Sequence, residues 1–213
     1  MKILIAAYPF GEVDPESRNI LLRDGHDLIN NPYKRRLKSD EVLELISDCD
    51  AIIAGTEKYG ETELKKAMGN LQIISRVGIG LDSVDLDYCK ASGIKVAYTP
   101  DAPSQAVAEL TLHHMIALSR FTYQSHLSVK DKSWKRHMGF LLSDRKIGIL
   151  GLGRIGKKVC RLLKPFGSNV YSCDIEPDLD FISNNDHVIL CSHEELFSKC
   201  DLISIHIPLN REN

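Results

Sequence analysis

The chain has 213 residues, of which 43% are hydrophobic, and a formal net charge of −2. That length allows one large or two small domains with a substantial core. The near-balanced charge argues against a nucleic-acid partner, and the only basic cluster, Lys34-Arg35-Arg36, reads as solvated surface. The apolar run Met1 to Tyr8 is too short to span a membrane and lacks a signal-peptide cleavage pattern. Six cysteines without Cys-x-x-Cys spacing suit a reducing, cytoplasmic setting.

In chain order, Ile3 to Ala7 is expected as a strand, Pro15 to Asp24 as a helix and His26 to Ile29 as a strand. Ser39 is the expected N-cap of a helix over Asp40 to Ser47. Ala51 to Ala54 follows as a compact strand, Glu61 to Met68 as a helix and Gln72 to Ser75 as a strand. Asp85 to Ala91 is then a helix stopped by Ser92-Gly93, before a strand at Ile94 to Tyr98. Repeated βαβ units of this length predict a parallel sheet with helices on both faces. Thr99-Pro100-Asp101-Ala102-Pro103 punctuates the chain and suggests a division into 1–100 and 101–213. Ser104 to Phe121 is expected as a long helix, apolar on most sides and buried between domains; Glu109, His113 and His114 lie on it and read as structural. Ser125 to Ser143, with the single Trp134, is expected to be an irregular arm.

The phrase Lys146 to Gly156 is the most informative. A short apolar strand runs into Gly151-x-Gly153-x-x-Gly156 and a helix; Asn169 to Cys173 is a second strand ending at Asp174. Gly151 permits the tight turn, Gly153 leaves room for a pyrophosphate, and Gly156 lets the helix approach the strand. The helix N-terminus receives phosphate charge, and Asp174 is placed to accept from both ribose hydroxyls. A 2′-phosphate would meet Asp174 as a like charge, and Ile175-Glu176-Pro177-Asp178 carries no Arg or Lys, so NAD is expected over NADP.

Further blocks join this one: Ile74 to Asp85, Thr99 to Thr111, Trp134, Lys164-Pro165-Phe166-Gly167, and Asp201 to Leu209 with His206-Ile207-Pro208. Together they resemble the D-isomer-specific 2-hydroxyacid dehydrogenases, nearest to a 3-phosphoglycerate dehydrogenase branch, over nearly the whole chain. The resemblance implies an α/β protein: a flavodoxin-like substrate domain, a Rossmann-type NAD domain incomplete at its C-terminal end, and a cleft between them. It implies that Arg76, Gly78, Ile79 and Gly80 approach a 2-hydroxy or 2-keto acid, with main-chain N–H groups at its carboxylate and Ile79 also near the cofactor. It places Arg154 and Ile155 on the pyrophosphate, Asp174 on the adenine ribose, and His206, Ile207 and Pro208 along the adenosine. Homodimers are common in such a family, and the long helix and Trp134 arm would suit one.

Two departures qualify this. The family's catalytic Arg, Glu and His follow the His-Ile-Pro block, so they are expected beyond Asn213; Arg211 and Glu212 match a variable loop and are assigned no role. The sequence is therefore read as a truncated dehydrogenase that would not turn over alone, with about four of some six Rossmann strands. At Ala54 to Lys58 the phosphoglycerate branch tends to carry Arg-Ser, where Gly55-Thr56 stands with Lys58 as the only substitute. A different class of function fits the same scaffold: a non-catalytic NAD-sensing or partner-binding protein of corepressor type. An NAD-dependent enzyme of another reaction class, such as formate oxidation, is a third reading.

Overall fold

The computed structural model describes residues 1–67 and 69–208. It forms two compact units, Met1–Ala102 and Pro103–Asn213. The expected helix end at Met68 and the stretch 209–213, with Arg211 and Glu212, lie outside the described residues.

Unit 1 holds β1 (Lys2–Ile5), α1 (Glu16–Arg23), β2 (Asp27–Asn30), α2 (Ser39–Leu45), β3 (Ala51–Ala54), α3 (Glu61–Lys66), β4 (Ile73–Arg76), α4 (Leu86–Ala91) and β5 (Lys95–Tyr98). The strands are parallel in the order β2-β1-β3-β4-β5, which is the flavodoxin-like order. The order reverses between β1 and β3, so the loops leaving the carboxyl ends of those strands flank the crevice where such sheets take ligands. Side chains alternate across the sheet: Leu4, Ile52 and Ile74 face one apolar cluster with Val42, Ile46 and Leu64, while Ile3, Ile5 and Ala51 face another. Burying both faces leaves the sheet little solvated surface, as parallel sheets require.

Ser39 is the first helical residue of α2, not its cap. The N-cap is Lys38, in an extended conformation, because its N–H donates to Glu41 Oε2 at 2.8 Å. The carboxylate three residues into the helix thus supplies the N3 half of a capping box, accepting from the N-cap's own amide.

Unit 2 begins with α5 (Ser104–Ser119) and α6 (Thr122–Lys130), then β6 (Lys146–Leu150), α7 (Arg154–Leu163), β7 (Asn169–Cys173), α8 (Leu179–Ser183), β8 (Val188–Leu190), α9 (His193–Lys199) and β9 (Leu202–Ile205). Its four strands are parallel in the order β8-β7-β6-β9, the 3-2-1-4 order with which a Rossmann sheet starts. The core is built from Ile147, Ile149, Val170 and Val188 of the sheet, Val159, Cys160 and Leu163 of α7, and Ala108 and Met115 of α5.

Two expectations fail here. α5 is buried along one stripe only, at Ser104, Ala108, Met115 and Ser119, where it packs on α7; Leu110, Leu118, Glu109, His113 and His114 are exposed. Its apolar residues are spread around the axis, so composition suggested a burial that one packing partner does not provide. The expected irregular arm starts as a regular helix, α6, entered through Phe121 at φ 52°. None of its residues is buried, so it carries no apolar period for a sequence reading to detect. After Lys130 the chain is irregular, held by Ser128 Oγ donating to the Ser133 carbonyl at 2.8 Å, with Trp134 91% exposed.

Candidate dinucleotide turn and anion loop

In unit 2 the buried strand β6 ends at Leu150 and the chain turns at Gly151, whose φ of 96° favours glycine. The Gly151 N–H donates to the Cys173 carbonyl at 2.8 Å, pinning the turn to the end of β7. A side chain at 151 would also strike the His206 backbone, 2.9 Å from where its Cβ would lie. Gly156 is closer still: its Cβ would sit 2.1 Å from the Gly151 carbonyl oxygen, so α7 meets the turn backbone to backbone. Gly153 differs from both. It caps α7 with no side-chain hydrogen bond, and its Cβ would meet nothing within 4 Å.

Arg154 is exposed at the first helical position, and Ile155 is half-buried behind it. Asp174 stands at the tip of β7, where its Oδ2 accepts from Leu152 N at 2.5 Å and its Oδ1 from Glu176 N at 2.9 Å. The carboxylate therefore straps the glycine turn to β7 as well as facing outward, a role the sequence did not reveal. Each oxygen keeps further acceptor capacity.

His206 N donates to the Leu150 carbonyl at 2.7 Å, and His206 Nε2 lies 2.9 Å from Ser204 Oγ. Burial lowers the His206 pKa, which favours the neutral ring. Ile207 reaches the same turn, with its Cγ2 2.9 Å from the position of a Gly151 Cβ, and Pro208 follows it. The structure thus gathers Gly151, Leu152, Gly153, Asp174, His206 and Ile207 at one end of the sheet. A separate open depression in unit 2 is lined by Lys157, Arg161, Asp178 and Phe181. Lys157 there is paired with Asp178, and the Arg161 guanidinium lies over the Phe181 ring.

In unit 1, Arg76 ends β4 and is only 9% exposed. Its Nη1 donates to the neighbouring Val77 carbonyl, and its buried Nε has no partner. Gly78, at φ 146°, is sealed in place: its N–H donates to Thr99 Oγ1 at 2.9 Å and its carbonyl accepts from Thr99 N at 3.1 Å. The Gly78 amide, which also reaches the Arg76 carbonyl at 3.0 Å, is therefore already engaged, in part by Thr99, which the sequence gave no reason to single out. Among the described residues, the Ile79 and Gly80 N–H groups have no hydrogen-bond partner. A nearly buried guanidinium and two open amides in this loop are groups of the kind that can receive an anion.

Beneath it lies a polar cluster that composition and spacing did not signal. Glu57, 2% exposed, accepts from Gly55 N at 2.8 Å and from the buried Tyr59 hydroxyl at 3.4 Å. Burial first, and then the charge of Glu57, pushes the Tyr59 pKa well above its ordinary value, while Arg76 pulls the other way. Tyr59 thus feels both charges. Its backbone bonds Ser83 and Asp85, tying the loop after β3 to the loop after β4.

A two-unit α/β protein with parallel sheets and a glycine turn strapped to a carboxylate has the layout of a nucleotide-binding scaffold. Residues 4–199 match the family model of the D-isomer specific 2-hydroxyacid dehydrogenase catalytic domain, and the chain belongs to that family. It is similar to human D-3-phosphoglycerate dehydrogenase, at 34% identity over 212 residues, covering 98% of this chain and 38% of that protein. It is also similar to hydroxypyruvate reductase of Thermotoga maritima, at 32% identity over 200 residues, covering 92% of this chain and 63% of that one. The fold matches the crystal structure of cofactor (NAD+) bound 3-phosphoglycerate dehydrogenase from Entamoeba histolytica, with a TM-score of 0.79 and 30% identity over all of this chain and 64% of that one. This chain therefore spans about 38% of the human relative's length.

Proposed function

We propose that this protein is an NAD-dependent D-2-hydroxy acid dehydrogenase, acting on the CH–OH group of a small 2-hydroxy acid or reducing the matching 2-keto acid. Unit 2 is the NAD-binding domain and unit 1 the substrate domain. The observation that carries the reading is the contrast among three glycines: Gly151 and Gly156 are closed by backbone, while Gly153 faces open space at the start of a helix. The open space at Gly153 is where a bound pyrophosphate would approach the backbone.

The residues present fit a dinucleotide. The first turn of α7 presents amide dipoles to a pyrophosphate, with Arg154 and Ile155 beside it. Asp174 accepts from ribose hydroxyls and repels a 2′-phosphate, and His206, Ile207 and Pro208 flank the adenosine. Gly151 serves the turn and Gly156 the helix packing. NAD, when bound, supplies the hydride-accepting nicotinamide. In unit 1, Arg76 and the Ile79 and Gly80 amides hold the substrate carboxylate, and Gly78 sets the loop geometry. These residues bind and orient, and none is assigned the proton transfer. A preparation of these 213 residues is expected to bind NAD without reducing 2-keto acids. We also assign it to the cytoplasm as a homodimer; no described helix is long and apolar enough to cross a membrane.

The test is calorimetric titration with NAD and NADP. Binding of NAD, weaker binding of NADP and loss of NAD binding in Asp174→Ala support the reading. Equal affinity for both cofactors, or unchanged NAD affinity in Asp174→Ala, refutes it. Turnover of a 2-keto acid by the 213-residue preparation would refute the division of labour while leaving the NAD site intact.

A further inference from the structure

The loop leaving β3 carries a buried acidic group next to the anion loop, because Ala54 at the end of β3 pairs with Arg76 at the end of β4. Glu57 is almost wholly buried, and its oxygens lie 2.7 and 2.8 Å from where a Gly55 Cβ would be. The carboxylate thus fills the space beside Gly55, and it also consumes the Gly55 amide. Both groups that touch it, an amide N–H and a phenol O–H, are hydrogen-bond donors. A second carboxylate, Asp82, stands at the neighbouring loop, with Oδ1 2.6 Å from the position of a Gly80 Cβ.

The one lysine of the β3 loop does not offset this. Lys58 Nζ lies 3.9 Å from the position of a Gly60 Cβ, and the Glu63 carboxylate reaches within 3.1 Å of the same point. The Lys58 side chain thus packs beside Gly60 at the start of α3, and it is not among the atoms nearest the Gly55 Cβ position. Among the described residues of unit 1, Arg76 is the only buried cation, and one guanidinium with two open amides suits a single carboxylate.

We propose that Glu57 is a specificity-determining residue that keeps a substrate phosphate away from the end of β3, so that this protein takes 2-hydroxy acids whose only charge is the carboxylate. A phosphorylated acid adds a group of about −1.5 to −2 at neutral pH, and that charge meets a buried carboxylate in a setting of low dielectric. The proposal deepens the reading of unit 1 as the substrate domain, and rests on it. It separates this protein from the relatives named for 3-phosphoglycerate.

The experiment is a titration of the isotope-labelled protein, saturated with NAD, followed through its amide resonances at Ile79 and Gly80. The two probes are D-glycerate and 3-phospho-D-glycerate, which differ only by the phosphate. D-glycerate is expected to bind at least about tenfold tighter, and raising the salt concentration should narrow the ratio, since the exclusion is electrostatic. Glu57→Gln should tighten 3-phospho-D-glycerate about tenfold and leave D-glycerate nearly unchanged, while Lys58→Ala should move neither. Equal or tighter binding of the phosphorylated acid by the unsubstituted protein overturns the proposal, and this arm needs no variant to fold. Weakened 3-phospho-D-glycerate binding in Lys58→Ala overturns it too, by making Lys58 a phosphate holder. If NAD binds and neither acid perturbs Ile79 or Gly80, the substrate-domain reading itself fails and takes the proposal with it.

Discussion

Gly153 and Gly156 offer a direct test of the site, because the same substitution should do opposite things three residues apart. In Gly156→Ala the new methyl would lie 2.1 Å from the Gly151 carbonyl oxygen and 3.2 Å from Ile149 Cγ2. A carbon and an oxygen need roughly 3.3 Å, so α7 must retreat by about 1.2 Å from the turn. The atom it meets is backbone and cannot rotate away. Overpacking of this kind costs typically about 1–3 kcal/mol, and a backbone clash belongs at the upper end. For a unit of this size, about 3 kcal/mol lowers the melting temperature by about 12 °C. In Gly153→Ala the methyl meets nothing within 4 Å, at an ordinary φ of −75°. Exchanging one uncapped N-cap for another should cost under about 1 kcal/mol. Calorimetry of both variants, with and without NAD, reads the two effects apart. Gly153→Ala should melt within a few degrees of the unsubstituted protein yet lose about tenfold or more in NAD affinity, since its methyl occupies the space left for the pyrophosphate. Equal destabilisation by the two substitutions, or full NAD affinity in Gly153→Ala, would refute the reasoning.

Three further outcomes are expected. The Glu41 pKa is lowered to about 2, chiefly by the Arg35 guanidinium and next by the Lys38 amide. Because its folded value lies below the unfolded one, its contribution is complete above about pH 4.5 and lost as the pH falls toward about 2; thermal melts of Glu41→Gln should show a shallower acid decline in that window. Burial pushes the thiols of Cys49 and Cys191 up to about 11 and that of Cys160 to about 12, so few thiolates form at pH 8. A thiol reagent should label these three slowly in the native protein and all six cysteines rapidly in denaturant; fast native labelling of Cys160 would contradict its burial. Leu64 is wholly buried in the larger core of unit 1, and Leu64→Ala should cost about 2–5 kcal/mol by denaturant titration.

What the sequence determined was the part of the design written in local chemistry. Alternating apolar runs and punctuating glycines located the strands, because a parallel strand buried on both faces must be apolar and short. Gly151, Gly153, Gly156 and Asp174 were legible for the same reason: a turn of that length and a carboxylate at a strand tip are properties of neighbours along the chain. Other features were settled by residues distant in sequence. The commitment of the Gly78 amide to Thr99, and the strap from Asp174 to Leu152, depend on strand ends that only a folded sheet brings together. α6 escaped notice because no buried stripe marks it, and α5 looked more buried than it is because packing, not composition, chooses which apolar side is covered. Glu57 is the clearest case. In the sequence it is one carboxylate in a loop, and burial against Gly55 beside Tyr59 makes it a charge that a ligand must reckon with. Charge becomes decisive only where water is excluded, and exclusion of water is a property of the tertiary structure alone.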